Sequence, residues 1–103
     1  MSQIQRVTTS NPAANTSVMI YDSNTYLLAS VIAANKETYP ATISIWVLDP
    51  GTSDIGYLCK DMPLSENNSF ETFRFAANPN DEIYVRSSTG QVSFMLNGID
   101  QLQ

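Results

Sequence analysis

The feature that most constrains the fold of this chain is a strict alternation of apolar and polar side chains in short runs. The clearest run covers residues 42–48 and is closed by the turn-forming segment 49–52. Its two faces consist of Ile43, Ile45 and Val47 on one side and Thr42, Ser44, Trp46 and Leu48 on the other. A period of two residues is typical of a β-strand with one face on a core. This run therefore predicts a strand.

The same alternation recurs towards the end of the chain. Residues 82–86 and residues 91–98 each have an apolar side chain at every second position, so these side chains share one face of the strand. The segment between them, residues 87–90, has the sequence Ser-Ser-Thr-Gly, which favours a tight turn. We therefore expect these two strands to be antiparallel neighbours in a hairpin.

Further strands are predicted from shorter or less regular runs. Residues 26–34 form the longest near-continuous apolar stretch, which favours a central strand covered on both faces, with a buried helix as the alternative. The other predicted strands cover residues 4–8, 18–21, 57–62 and 70–75. Turn signals separate the strands about every 8–12 residues, with no helical segment between them. We expect an all-β fold of about eight strands in an antiparallel two-sheet sandwich, immunoglobulin-like or jelly-roll, with a small closed barrel as the alternative.

The length and the distribution of the strands predict one domain with an arm. A chain of 103 residues is the size of one ordinary domain. Because the first dozen residues are polar, we expect a flexible N-terminal arm over residues 1–12 and a single β-sandwich domain over residues 13–103. Such an arm would become ordered when it is laid against a neighbouring molecule.

The charge of the chain argues against two classes of partner. Ten acidic and five basic side chains, with no histidine, give a net charge of −5. The cations are scattered along the chain as Arg6, Lys36, Lys60, Arg74 and Arg86. A surface of this sign repels phosphate backbones and anionic lipid. We therefore expect no nucleic acid and no membrane as a partner.

The cysteine count and the first residues bear on where the chain is made. Cys59 is the single cysteine, so the chain has no internal disulfide framework. Residues 1–12 lack the basic and apolar regions of a secretory signal. We expect synthesis in a reducing cytoplasm, with Cys59 as a small buried residue.

The residue types needed for common chemistry are missing or poorly placed. Without histidine the chain cannot assemble a Ser-His-Asp triad, and one thiol does not make a zinc site. Its four glycines are isolated, so no glycine-rich phosphate loop is present. We expect neither an enzyme nor a cofactor.

The acidic residues at eight positions are expected to lie in or beside turns and to keep the surface soluble. They are Asp22, Asp49, Asp54, Asp61, Glu66, Asp81, Glu82 and Asp100. A calcium site built from Asp49, Asp54 or residues 78–82 is the weaker alternative, because carboxylate and carbonyl oxygens suit that ion.

The aromatic side chains suggest two kinds of surface. Trp46 lies in mid-strand beside Leu48, which favours packing in the core or between the sheets over a shelf for a sugar. Tyr84 and Met95 alternate with the apolar faces of their strands, so we expect them on a surface that meets another subunit. A carbohydrate-binding surface formed by Trp46 or the tyrosines is the alternative.

Several segments together resemble small virion proteins of tailed bacteriophages, notably those of marine cyanophages. The resemblance is carried by residues 10–16, 20–21, 30–35, 73–75, 81–86 and 92–98, whose sequences are SNPAANT, IY, SVIAAN, FRF, DEIYVR and VSFMLNG. It implies a β-sandwich module that attaches to the virion surface or the tail apparatus.

This resemblance gives the functional expectation. We expect a non-enzymatic phage virion structural protein that decorates or cements the capsid surface, with a tail, baseplate or fibre accessory role as the alternative. Its partners would be other virion structural proteins in a many-copy or homo-oligomeric assembly, and its location the virion. The residues expected at the interface are Ile4, Arg6, Val7, Pro12, Tyr84 and Met95.

Overall fold

The computed structural model describes residues 2–22 and 24–102, with the side chains of residues 7–22 and 24–100. Nine strands account for the regular structure of these residues. They are β1 (Ser2–Ser10), β2 (Val18–Asp22), β3 (Tyr26–Asn35), β4 (Ala41–Asp49), β5 (Asp54–Leu64), β6 (Ser69–Glu71), β7 (Phe75–Ala77), β8 (Glu82–Ser87) and β9 (Val92–Leu102). All the pairings between them are antiparallel.

The strands form two sheets that face each other. One sheet has the order β1-β9-β3-β6, with β7 also paired to β3, and the other has the order β2-β8-β4-β5. Most connections cross from one sheet to the other, and among strands of the second sheet only β4 and β5 are both sequence neighbours and paired. Counting β6 and β7 as one interrupted strand gives two four-stranded layers, which is the jelly-roll arrangement. The predicted all-β two-sheet sandwich is confirmed.

The core lies between the sheets and is built from alternate positions of the strands, including β3, which was expected to be covered on both faces. In β3 every second residue from Leu27 to Asn35 is buried, and the residues between them are partly exposed on the outer face. The buried apolar residues are Ile20, Leu27, Ala29, Val31, Ala33, Ala41, Ile43, Ile45, Leu64, Ala77, Ile83, Val85, Val92, Phe94 and Leu96. Residues 26–34 therefore form a strand, not the helix that was the alternative.

A close approach between β3 and β9 depends on Gly98. A Cβ atom at this position would lie 2.7 Å from Ala29 Cβ and 2.8 Å from the backbone oxygen of Leu28. Contacts this short are not found between real Cβ atoms and their neighbours. The absence of a side chain at Gly98 therefore sets the spacing of the two strands.

A buried asparagine joins the loops at one end of the sandwich. Asn35 is only 2% exposed, and its Nδ2 donates hydrogen bonds to the backbone oxygens of Tyr39 (3.1 Å) and Leu64 (3.0 Å). Its Oδ1 accepts a hydrogen bond from the backbone N–H of Glu37 at 2.9 Å. One side chain thus satisfies backbone groups of two separate segments, the β3–β4 loop and the end of β5.

The predicted hairpin over residues 82–98 is wrong. β8 pairs with β2 and β4 in one sheet, whereas β9 pairs with β1 and β3 in the other. The link between them is held by one long-range and one local hydrogen bond: Ser88 N–H donates to Thr42 O of β4 at 3.0 Å, and Thr89 N–H donates to Ser87 Oγ at 3.2 Å. Residues 87–90 therefore cross the sandwich instead of folding one strand back on the next.

The predicted strand over residues 70–75 is interrupted in the structure. Thr72 leaves the regular ladder, and its Oγ1 accepts the N–H of Val31 while its own N–H donates to Val31 O, both at 3.0 Å. Phe73, which the alternation grouped with Phe75, is instead 94% exposed. The break separates β6 from β7 and explains why nine strands are found where about eight were expected.

One acidic residue lies in the interior, contrary to the expectation that all of them border turns. Asp100 is in β9 and 2% exposed, and it accepts a 2.6 Å hydrogen bond from the hydroxyl of Tyr21 in β2. Because β2 and β9 belong to different sheets, this contact connects the two layers.

Residues 2–10 form a regular strand on the edge of the five-stranded sheet. β1 pairs with β9 without a break, from Ser2 opposite Leu102 to Ser10 opposite Phe94. The segment that the sequence assigned to a flexible arm is thus held on its own sheet in this conformation. Met1 of that segment lies outside the described residues, and ordering of the arm against a neighbouring molecule stays a prediction.

Candidate interaction surface

Four large side chains form a continuous row across the outer face of the four-stranded sheet. The strand register places Met19 opposite Tyr84, Tyr84 opposite Trp46, and Trp46 opposite Tyr57. The row therefore contains one residue from each of β2, β8, β4 and β5. Met19 and Tyr57 at its ends are 43% and 47% exposed, and the two central residues are half-buried. We call these four residues the aromatic row.

The rings of the aromatic row pack against one another. Trp46 and Tyr84 are nearly parallel, with an interplanar angle of 6° and ring centroids 5.6 Å apart. Two rings that lie edge to edge in one plane cannot have centroids as close as this. The rings of Trp46 and Tyr84 are therefore stacked face to face with a lateral offset. Tyr57 is tilted by 48° from Trp46, with centroids 5.8 Å apart. The row is therefore a rigid surface whose rings support one another.

Polar contacts hold the tyrosines of the row in place. Tyr84 donates a 2.9 Å hydrogen bond from its hydroxyl to Glu82 Oε1. This bond to a carboxylate raises the pKa of Tyr84, with further contributions from burial and from the charges of Glu82 and Asp22. The Lys60 ammonium lies 5.2 Å from the centroid of the Tyr57 ring, within the range of a cation–π contact.

The position of Trp46 corrects the expectation that it packs in the core. Its strand does alternate as the sequence indicated, with Ile43 and Ile45 buried between the sheets. Trp46 is on the opposite, outer face and is only half-buried. It is buried by its neighbours Tyr57 and Tyr84 on the same face, not by the second sheet.

A polar notch continues the same face beyond the aromatic row. Ser44 is two residues before Trp46 in β4, and Arg86 is two residues after Tyr84 in β8. Together with Asp61 they border a recess of about 170 Å³. Ser44 Oγ accepts the backbone N–H of Asp61 at 2.9 Å. Aromatic rings and hydrogen-bonding groups thus lie next to each other on this sheet.

The outer face of the five-stranded sheet has a different character. Met95 pairs with Ile32 and with Thr9. These three residues line a shallow groove of about 360 Å³, together with Ala34 and Lys36. Phe94 is the one aromatic residue among the described residues that line this groove, and its side chain is buried in the core. Met95 and Tyr84, expected on an interface, therefore lie on outer faces of opposite sheets and cannot belong to one patch.

The other predicted interface residues are near the N-terminus. Val7 is 60% exposed in β1, whereas Pro12 is buried in the loop that follows. Ile4 and Arg6 are opposite Asp100 and Gly98 in the ladder, and their side chains lie outside the described part of the structure. Of these four residues, the structure shows an exposed side chain for Val7.

Metal-ligating side chains and the cysteine are distributed as follows in the described residues. These residues contain no group of three or more His, Cys, Asp or Glu side chains that could hold a metal ion. Cys59 is half-buried against the core, with its Sγ 3.9 Å from Ile43 O, and burial raises the pKa of its thiol. No helix long and apolar enough to span a membrane occurs in residues 2–22 and 24–102.

Comparisons with known proteins identify a shared fold. No protein-family model matches the chain, and no curated protein matches it in sequence. A solved chain from Bacillus endospore appendages, described as a family of disulfide-linked pili, matches with a TM-score of 0.59 and 16% identity over 99% of this chain and 88% of that one. A chain of the infectious bursal disease virus Gx strain matches with a TM-score of 0.49 and 7% identity, covering 99% of this chain and 36% of that one.

The protein is thus a two-sheet β-sandwich of the same fold as the appendage chain. At 16% identity the likeness extends to the fold alone. What the protein does must be argued from its own surfaces.

Proposed function

We propose that this protein is a non-enzymatic structural protein of a phage virion that decorates or cements the capsid surface. The observation that carries the proposal is the aromatic row on the outer face of the four-stranded sheet. Tryptophan and tyrosine contribute most of the binding energy at many protein interfaces, because they bury a large area at a small cost in side-chain entropy. A partner that covers the row would remove its half-exposed rings from water.

The fold likeness and the chemistry of the surface support this proposal. The similar Bacillus chain belongs to appendages described as pili, which are assemblies of protein subunits. Those pili are described as disulfide-linked, whereas the thiol of Cys59 is half-buried and its pKa is raised. Non-covalent contacts through the row would therefore hold this protein in its assembly.

Labelling of intact particles tests the proposal. Antibody fragments raised against the recombinant protein, coupled to gold, would be located on particles by negative-stain electron microscopy. Label scattered over the heads is the expected result. Label confined to the tails would move the protein to the alternative role in a tail, baseplate or fibre, and particles free of label and of the protein would contradict a virion role.

A Trp46→Ala variant tests the part played by the aromatic row. The variant should fold, because Trp46 lies outside the buried core, but its incorporation into particles should be strongly reduced. Tyr39→Ala is the matched control, since Tyr39 is 51% exposed and is not part of the row. Equal incorporation of the two variants would show that the row is not the attachment surface.

Carbohydrate binding is a second candidate, and it is favoured by one observation. The polar notch formed by Ser44, Asp61 and Arg86 adjoins the rings of the row, and sugars bind where polar groups flank an aromatic face. The offset stacking of Trp46 on Tyr84 argues the other way, because each ring covers part of the face on which a sugar would stack.

Glycan arrays and titration separate the two candidates. Binding of a bacterial surface polysaccharide that is lost in both Trp46→Ala and Arg86→Ala would support carbohydrate recognition. Absence of glycan binding, together with loss of incorporation in Trp46→Ala alone, would support the structural role.

A further inference from the structure

A sheet edge can join another molecule only where its backbone groups are free and regular, and natural edges are often protected against this. The described strands provide four edges: β1 and the β6–β7 side of the five-stranded sheet, and β2 and β5 of the four-stranded sheet. These edges differ sharply in regularity.

Three of the four edges carry features that oppose strand addition. β2 has only five residues and a register shift between Met19 and Tyr21. β5 has two register shifts against β4, a left-handed residue at Asp61 with φ of 48°, and Pro63, which has no N–H. The β6–β7 edge is broken at residues 72–74, where Phe73 projects into solvent.

The fourth edge, β1, has none of these features. Its nine residues pair with β9 in an unbroken register. The sequence of β1 contains no proline, glycine, lysine or acidic residue, and it includes Ile4, Val7, Thr8 and Thr9, which are β-branched. In a chain of net charge −5, this strand has no acidic residue and one basic residue, Arg6, so it does not contribute to the excess negative charge by which two copies repel each other.

We propose that β1 is a strand-addition edge and that its occupant is β1 of a second copy of this chain. The two strands pair antiparallel about a two-fold axis at Val7, which joins the two five-stranded sheets into one continuous sheet. The inference rests on the proposed structural function and names the first partner in that assembly.

Two properties of β1 select a second copy as the occupant. An antiparallel edge is self-complementary, because a two-fold rotation places its free donors opposite the acceptors of an identical strand. An axis at Val7 also buries this 60% exposed side chain against its own copy. The same register places Arg6 of each copy opposite Thr8 of the other, so the two Arg6 positions are not opposite each other.

Single cysteines on three edges test the proposal directly. Each is introduced into a Cys59→Ser background: Val7→Cys on β1, Ile55→Cys on β5 and Phe73→Cys on the β6–β7 edge. The replaced side chains are 60%, 49% and 94% exposed, so random collision would favour Phe73→Cys. Mild oxidation at micromolar protein should link Val7→Cys into dimers at least about tenfold faster than the other two, because an ordered pair holds its thiols at millimolar effective concentration.

Size-exclusion chromatography with light scattering gives the second readout. The wild-type protein should have twice the mass of one chain, Val7→Lys should have the mass of one chain, and Val7→Thr should remain a dimer. Circular dichroism should show the same β-structure in all three proteins. Lysine at position 7 would place two like charges on the axis, whereas threonine keeps the β-branched shape.

Two outcomes would overturn the inference. One is a wild-type protein that is monomeric at about 100 μM, a concentration at which even weak self-association is visible. The other is cross-linking that is fastest at Phe73→Cys or Ile55→Cys. Neither outcome affects the particle labelling, so a monomeric protein that labels phage heads would refute the β1 dimer and leave the proposed function standing.

Discussion

The two sheets of this sandwich present different surfaces to their surroundings. The four-stranded sheet has the aromatic row on its outer face, and both of its edges are irregular. The five-stranded sheet has a shallow groove over Met95 and Ile32 on its outer face, and one of its edges, β1, is regular along nine residues. One small domain thus has two separate surfaces for contacts, the outer face of one sheet and the β1 edge of the other.

The interior of the five-stranded sheet and the outer face of the four-stranded sheet also differ in the substitutions that they tolerate. In the five-stranded sheet, β3 and β9 approach so closely at Gly98 that no Cβ atom fits, and Asn35 ends β3 with several buried hydrogen bonds. The outer face of the four-stranded sheet has no such constraint. Substitutions in the first region should therefore affect stability, and substitutions in the aromatic row should affect binding.

The largest effect is expected for Asn35→Ala. The variant removes the hydrogen bonds to Tyr39, Leu64 and Glu37 and leaves buried backbone groups without a partner, which should lower the free energy of unfolding by about 3 kcal/mol. Asn97→Ala, at an exposed position in β9, should change it by less than about 0.5 kcal/mol. Urea denaturation measures both, and similar losses would contradict the central role of Asn35.

Gly98→Ala should destabilise the protein by about 2 kcal/mol, because the added methyl group overpacks the β3–β9 contact. Gly56→Ala is the matched control in β5, where a Cβ atom would have nothing within 4 Å. Thermal unfolding of the two variants measures the difference. A Gly98→Ala variant as stable as the control would show that the two sheets tolerate an added methyl group equally well.

Tyr21→Phe tests the contact between the layers and should cost about 1.5 kcal/mol, because it removes the 2.6 Å hydrogen bond to the buried Asp100. Tyr57→Phe alters a tyrosine that is 47% exposed and should have little effect on stability. Chemical denaturation of both variants provides the measurement. A larger loss for Tyr57→Phe would mean that the outer face stabilises the fold more than the inter-sheet bond.

The smallest effect concerns the pH dependence of Tyr84. Because the bond to Glu82 raises the pKa of Tyr84, its contribution to stability is complete below the ordinary tyrosine pKa of about 10 and is lost as the pH rises through the raised value. In a spectrophotometric titration, Tyr84 should ionise later than an unperturbed tyrosine, and Glu82→Gln should move its pKa back down. An unchanged titration curve in Glu82→Gln would contradict this assignment.

Much of the fold could be predicted because alternation is a local property of the sequence. The faces of β4 were correctly divided, and the all-β sandwich followed from the number and spacing of such runs. That β8 and β9 lie in different sheets was not predictable from the segment between them, because the bond from Ser88 N–H to Thr42 O forms only in the folded sandwich. The break at Thr72 has the same origin, since its partner Val31 is distant in sequence.

The candidate site was predicted less well than the fold. The sequence indicated that Trp46 is opposite Ile43 and Ile45, but its position in mid-strand beside Leu48 favoured packing in the core or between the sheets. A row of rings on neighbouring strands can cover a tryptophan without a second sheet, and the register that aligns them is not visible in a single run. The signal that could have found the row is that Tyr84 and Trp46 both lie opposite the apolar faces of their strands.

The strand order has a consequence for the time course of folding. Most ladders join strands that are far apart in the chain, so long loops must close before the sheets gain stability, and such topologies fold in about milliseconds to seconds. β1 pairs only with β9, the last of the described strands. During synthesis on the ribosome, β1 therefore emerges long before its partner. In that interval β1 can meet β1 of another newly made chain. The order in which the strands are made therefore favours the pairing of two copies through β1.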